Sequence, residues 1–209
     1  MLISHGHNFL FIHICKTAGS SIQRALQPYA EQMPKDRITR LRSKIGLVRD
    51  PRKTYFPIHA DWNYARKRLG AERYHRMYKF AFVRNPFDLL VSSYHYIRKN
   101  KRHHRHAKVT ALGSFSAFVD YEIQRDKLHQ SRAICDKDGN LMVDFVGRFE
   151  SLPDDFKMVC RQLGLKAELP HENASSRSAY QSYYDEKLRD KVEEFWSEDL
   201  QRFGYSYQG

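Results

Sequence analysis

The stretch Asn8-Phe9-Leu10-Phe11-Ile12-His13-Ile14-Cys15-Lys16-Thr17-Ala18-Gly19-Ser20-Ser21 decides the fold. Its first seven residues form a short, nearly continuous apolar run, the pattern of a strand buried on both faces. Helical spacing follows at once through Ala18, Ile22, Ala25 and Leu26, and Pro28 closes it. The small residues between strand and helix leave successive backbone N–H groups uncovered at a positive helix end, which makes an anion seat. Lys16 adds a mobile cation, and Thr17, Ser20 and Ser21 add hydroxyl donors. The G-x-x-x-x-G-K-[ST] spacing is missing, because Lys16 precedes the small residues where a Walker lysine follows the glycines. A Walker-type ATPase or GTPase is therefore disfavoured. Taken alone, an ordinary strand-to-helix turn with a surface lysine explains this loop as well as an anion seat does.

A second junction of the same kind changes that balance. Lys79-Phe80-Ala81-Phe82-Val83 reads as another buried strand, and Pro86 sits where a first helical turn accepts it. Phe87, Leu90, Val91 and Tyr94 then trace one helical face. Arg84 falls at the carboxyl end of the strand, with Ser92 and Ser93 two turns along the helix. A guanidinium with a hydroxyl grips a phosphate through charge-assisted bonds. The bland reading is an Arg84–Asp88 surface pair beside a helix-capping serine. Ligands of open α/β sheets collect at the carboxyl ends of strands, so both junctions are expected to face one crevice. Two such seats suit a nucleotide phosphorylated at both ends.

Outward from these junctions, Thr54–His59 reads as a short extended segment, with Pro57 placing it at an edge. A basic helix runs from Trp62 to Leu69, and Lys99–Lys108 reads as an exposed basic connection. Phe115, Phe118, Val119 and Ile123 mark a helix that Ser114 can cap. Residues 143–148 read as a third strand. Pro153 with Asp154 and Asp155 opens a helix that Gly164 stops. The last helix spans Asp185–Gln201, with Leu188, Val192, Phe195, Trp196 and Leu200 inward. Alternating strands and helices predict one three-layer α/β domain over residues 1–209 with a central parallel sheet.

Charge narrows the partners. Residues 35–108 carry 21 Lys/Arg against five Asp/Glu, a net of +16 within a chain whose total is +12. A field of one sign concentrates anions: nucleic acid, acidic polysaccharide, anionic lipid or a phosphorylated cofactor. The 41% apolar content excludes a disordered chain, and no apolar run reaches the roughly 20 residues that span a bilayer. The N-terminus shows no signal-peptide pattern. Cys15, Cys135 and Cys160 make an odd count with no pairing or zinc spacing, which suits a reducing compartment and predicts a cytoplasmic protein. Three histidines among His103-His104-Arg105-His106 cannot easily converge on one ion, so no metal is expected. No RNA- or DNA-binding motif is found either, and nucleic acid is not the expected partner.

These residues carry a resemblance. Phe11–Ile22 resembles the 5′-phosphosulfate loop of the PAPS-dependent sulfotransferases, most closely the carbohydrate or Golgi-type branch with its usual H-I-P-K-T-A-G-T-S. Phe80–Tyr94 resembles that family's 3′-phosphate motif. Asp144–Phe156, Leu169–Ser175 and Asp199–Tyr205 are similar to its bacterial members, in the family's order. The resemblance implies a nucleotide-kinase-like, P-loop-related fold, PAPS as sulfuryl donor and PAP as product. It places Lys16, Thr17, Ala18, Gly19, Ser20 and Ser21 on the 5′-phosphosulfate, and Arg84 with Ser92 on the 3′-phosphate. One departure stands out: Cys15 occupies the position of the family's proline, whose fixed φ pre-sets the loop.

Sulfuryl transfer, by analogy with phosphoryl transfer, needs positioning, charge neutralisation and a base for the incoming hydroxyl. Lys16 is placed to neutralise the leaving oxygen. His59 is the candidate base, since similar bacterial members carry a histidine there and imidazole accepts protons near neutral pH. Asp61 is a rival base or the group that orients His59, and Glu150 a weaker rival. His13 reads as core packing, and Asn173 and Arg177 as residues that close over the cofactor or belong to a solvated loop. The acceptor is expected to be a hydroxyl, of a carbohydrate by the branch resembled, with an acidic glycan or glycolipid as candidates. A nucleotide-kinase-like phosphotransferase and a non-catalytic polyanion-binding module remain the alternatives. Oligomeric state is not legible.

Overall fold

A computed structural model describes residues 1–32, 36–45, 47–48, 54–170 and 178–209. It opens with a hairpin of β1 (Leu2–Ser4) and β2 (Phe9–Ile12), Leu2 lying opposite Phe11. Three residues are too few to show alternation, which is why β1 has no sequence signature. Next come α1 (Gly19–Leu26), a 3-10 turn at Gln27–Tyr29 that holds Pro28, and α2 (Arg37–Lys44). Then follow α3 (Trp62–Leu69) and α4 (Ala71–Arg76). β3 (Tyr78–Val83) leads into α5 (Pro86–Lys99), whose first turn Asn85 caps by accepting the Phe87 N–H at 3.0 Å.

Helices α6 (His106–Ala111), α7 (Phe115–Arg125) and α8 (Ser131–Ile134) precede β4 (Phe145–Arg148). Ser114 caps α7 as expected, accepting from Ala117 N at 3.1 Å. α9 (Leu152–Leu163) has Pro153 and two aspartates in its first turn and ends at Gly164, whose φ of 64° suits a left-handed C-terminal cap. The chain finishes with α10 (Glu186–Phe195) and α11 (Ser197–Phe203).

The sheet order is β1-β2-β3-β4, parallel throughout except at the β1 edge. Register sets Phe11 beside Phe80 and Phe80 beside Phe145. Phe9, Phe11, Phe80 and Phe82 thus share one face and pack with Ile22 and Leu26 of α1 and Phe156, Val159 and Cys160 of α9. Burying each such phenylalanine contributes about 2–3 kcal/mol. On the opposite face Leu10, Ile12, Ala81 and Val83 are fully buried too, as the unbroken apolar runs predict.

Contacts divide the chain into two compact units, one of Met1–Val83 with Arg132–Glu172, the other of Arg84–Ser131 with Asn173–Gly209. The first holds the sheet with α1–α4 and α9. The second holds α5–α7, α10 and α11 around an aromatic cluster in which Tyr184 and Tyr207 meet the Phe87 ring edge-on at 5.2 and 5.0 Å.

Several expectations change. Thr54–His59 pairs with no strand, and its Tyr55 N–H is accepted by Ser43 Oγ at 2.6 Å. The Lys99–Lys108 run is not wholly a solvated connection. Its Arg105 ion-pairs with the fully buried Glu122, and His106 opens α6 with Nδ1 3.0 Å from Ile97 O. Glu122 joins the inward residues of α7, where Ile123 is half-buried, and is held also by Arg125 at 2.5 Å. The expected last helix is two helices broken at Trp196, and the break turns Asp199 inward to full burial.

Candidate active site

The first seat is the β2–α1 loop. Lys16 and Ala18 both adopt left-handed backbone, with φ of 65° and 61°. For L-residues this costs of order 1–3 kcal/mol each and is found where surrounding structure enforces it for function. Thr17, between them, is fully buried and donates its hydroxyl to Ile14 O at 3.0 Å. That hydroxyl bond ties the two ends of the loop together. Ala18 O accepts from Ser21 N and Ile22 N at 3.0 and 3.2 Å, starting α1. The Gly19 and Ser20 N–H groups lie in the first turn, where a helix offers its donors and its positive end outward. Ser20 is exposed, Ser21 buried and Lys16 half-buried.

His13, one residue beyond β2, organises the surroundings of this loop. Its ring lies where a side chain at Gly19 would begin, with Cδ2 only 1.9 Å from an ideal Cβ. Only glycine fits there. His13 stacks on Phe11, with ring centroids 5.8 Å apart, which is the core packing expected. It also meets the His59 ring at 4.7 Å, a contact absent from the sequence reading. Burial first, and the neighbouring His59 charge second, hold the His13 imidazole down to about 3. His13 is neutral at physiological pH. Its Nδ1 is buried with no hydrogen-bond partner among the described residues.

His59 Nδ1 lies 3.0 Å from His13 O. A carbonyl only accepts, so Nδ1 carries the proton and Nε2 keeps the basic lone pair. His59 is exposed, so that lone pair is open to an incoming group. Asp61 does not serve as its orienter: the carboxylate caps α3, accepting from Tyr64 N at 2.7 Å. Glu150 is exposed in the turn after β4.

The second seat belongs to the other unit. Arg84 is buried, and its Nε and Nη2 reach Asp88 Oδ2 at 2.8 and 2.6 Å while Nη1 donates to Ser92 Oγ at 3.2 Å. Arg84, Asp88 and Ser92 stand four residues apart in succession, as a shared helix face requires. The arginine–aspartate pair is real but buried, with side chains only 7% and 15% exposed, so it is no surface pair. Ser93 points elsewhere, its Oγ buried without a partner among the described residues.

Two further residues escaped the sequence reading. The Gln130 carboxamide accepts from Arg84 N at 2.8 Å and donates to Arg84 O at 2.7 Å, imitating a paired strand across that residue. Asp199 then accepts from Gln130 N and Ser131 N at 2.6 and 2.9 Å. Gln130 and Asp199 are positioning residues for Arg84. The Asp199–Tyr205 stretch was already marked by its resemblance, and that was the signal available.

Asn173 and Arg177 lie outside the described residues, as do residues 35, 46 and 49–53 of the basic 35–108 block. Among the described residues no three His, Cys, Asp or Glu side chains are grouped to hold a metal, and no helix is long and apolar enough to cross a membrane.

A left-handed loop and a helix N-terminus follow one parallel strand, and a buried arginine follows the next, within an α/β fold. The match to known proteins is more specific. The family model "Sulfotransferase family" fits residues 1–206, and the chain belongs to that family. No curated protein matches. Among solved structures, mouse sulfotransferase SULT7A1 complexed with PAP superposes with a TM-score of 0.54 at 14% identity, covering 95% of this chain and 85% of that one. A sulfotransferase from Alicyclobacillus acidocaldarius gives 0.45 at 16% identity, covering 93% of each chain. The likeness to the mouse protein establishes the sulfotransferase fold.

Proposed function

We propose that the protein transfers the sulfuryl group of PAPS to a hydroxyl of a carbohydrate acceptor and releases PAP. Family membership makes it a sulfotransferase. The observation that carries the residue assignment is the joining, within one unit, of the left-handed Lys16–Ala18 loop to His59 through His13. The backbone of residues 17–21 and the Lys16 ammonium hold the 5′-phosphosulfate, with Thr17 acting through loop closure. Arg84 and Ser92 hold the 3′-phosphate.

In the reaction the acceptor oxygen attacks sulfur as the bond from sulfur to the 5′-phosphate oxygen of PAP breaks. His59 Nε2 takes the hydroxyl proton. Lys16 neutralises the charge that develops on the departing oxygen. A carbohydrate acceptor is supported by the motif of the branch resembled and by the basic 35–108 block, which also suits an acidic glycan or glycolipid. A single sulfotransferase domain is supported by a family match that runs through both units. Cytoplasmic residence is supported by three cysteines outside any disulfide.

Calorimetric titration with PAP, using ATP and 5′-AMP as controls, tests the reading. PAP binding is expected to exceed both, and to weaken at least about tenfold in Lys16→Ala and in Arg84→Ala, since each removes a charge-assisted contact. Preference for ATP would make the protein a phosphotransferase. Silence of the folded protein to all three would leave a polyanion-binding module. His59→Ala is expected to keep PAP affinity and lower turnover about 10²–10⁴-fold.

A further inference from the structure

Five of the eight large apolar residues exposed among the described residues fall within positions 38–58 of the sequence: Ile38, Leu41, Ile45, Leu47 and Ile58. Scattered exposed apolar side chains are ordinary, but a concentration of them marks an interaction surface. Ile38, Leu41 and Ile45 are 71%, 61% and 63% exposed. At about 100° per residue they share an arc of about 60° on α2 and its C-terminal cap. Arg42 and Arg37 flank that arc.

The opposite side of α2 anchors it. Buried Ser43 accepts the Tyr55 N–H at 2.6 Å, and the Arg40 guanidinium lies 5.4 Å from the Tyr55 ring centroid. Asp36 caps the helix through Thr39 N at 2.6 Å. The helix is therefore held by its polar back with its apolar front outward, the reverse of a helix packed into a core. The residue it grips, Tyr55, stands four positions before the candidate base His59.

We propose that this face of α2 seats the protein on an anionic phospholipid surface. An interfacial helix needs an apolar arc that enters the acyl boundary and basic side chains that meet the headgroups, and α2 offers both. A soluble acidic polysaccharide would satisfy the arginines and leave the apolar arc in water. A two-fold contact with a second α2 would cover the arc but offer Arg37 and Arg42 a helix that contains no acidic residue. The anionic bilayer is the occupant that meets both chemistries.

Co-sedimentation of the whole protein with vesicles tests this, comparing phosphatidylcholine alone with an equal mixture of phosphatidylcholine and phosphatidylglycerol. Binding at least about tenfold tighter to the anionic vesicles is expected, weakening as salt screens the headgroups. The double variant Ile38→Ser, Leu41→Ser is expected to lose about tenfold in vesicle affinity, because it removes several methylenes from the inserted arc. Ile45→Ser should lose less, and all variants should keep PAP affinity and thermal midpoint, since the altered residues are exposed. Heparin affinity should be unchanged by the serine substitutions. Wild-type protein that ignores anionic vesicles would overturn the proposal. So would serine variants that bind them as well as wild type, or a wild-type dimer in sedimentation velocity that these variants dissociate.

Discussion

A β-carbon at Gly19 would fall 1.9 Å from His13 Cδ2 and 2.0 Å from Nε2, so the β2–α1 loop and the histidine that supports the candidate base compete for one space. Gly19→Ala is expected to cost about 1–3 kcal/mol in urea unfolding through forced displacement of the ring. Adding His13→Ala should recover part of that loss, since residues in contact couple. Protonation of His13 gives a second test. Its native value of about 3 lies below the ordinary 6.5, so as pH falls the unfolded chain takes up the proton first. The stability owed to neutral His13 is complete above the unfolded value and declines as pH falls from there toward about 3. Urea midpoints measured down that range should fall more steeply for wild type than for His13→Asn. Of these relations, sequence showed the glycine, the loop and the histidine separately. Their competition for one space was not visible, because it needs the loop's left-handed turns at Lys16 and Ala18.

Elements whose ends carry local signals match their expectations closely: α3 begins after Asp61, α7 after Ser114, and α9 runs from the Pro153 turn to Gly164. Caps and breakers act within four residues, so sequence alone displays them. Elements defined by remote partners do not match. The break at Trp196 exists beside the burial of Asp199, whose carboxylate is satisfied by the Gln130 and Ser131 amides. Gln130→Glu keeps an acceptor for Arg84 N and loses the donor to Arg84 O, so PAP affinity should drop several-fold while 5′-AMP binding holds. Equal losses for both nucleotides in calorimetry would mean that Gln130 acts on the fold at large and not on the 3′-phosphate seat. In α7, Glu122 is fully buried between Arg105 and Arg125. Glu122→Ala leaves two partly buried cations unpaired, and a loss of about 3–5 kcal/mol in denaturant titration is expected. The carboxylate could not be read as an inward residue because one of its partners lies 17 positions away, in a run that looks like solvated charge.

Across the whole molecule the +16 of residues 35–108 acts as a field, not as a set of contacts. Association of PAP measured by stopped flow should slow as ionic strength rises past the roughly 10 Å screening length of 0.1 M salt, with dissociation changing less. The same block holds structural charge as well, since Arg84 and Arg105 are committed to buried pairs. The sequence by itself determined the parallel strands, the strand-to-helix loop that follows the first, the arginine that follows the second, and the family. Each of these is a short-range pattern: an apolar run, a turn, a cap. Tertiary structure alone decided which nitrogen of His59 is basic, what holds Arg84 in place and which charges are buried. The groups responsible stand 46 residues from His59, 46 from Arg84 and 69 from Gln130. No local pattern encodes a partner at that distance, because a carbonyl or a carboxamide acquires its role only when folding brings it within about 3 Å of the group it serves.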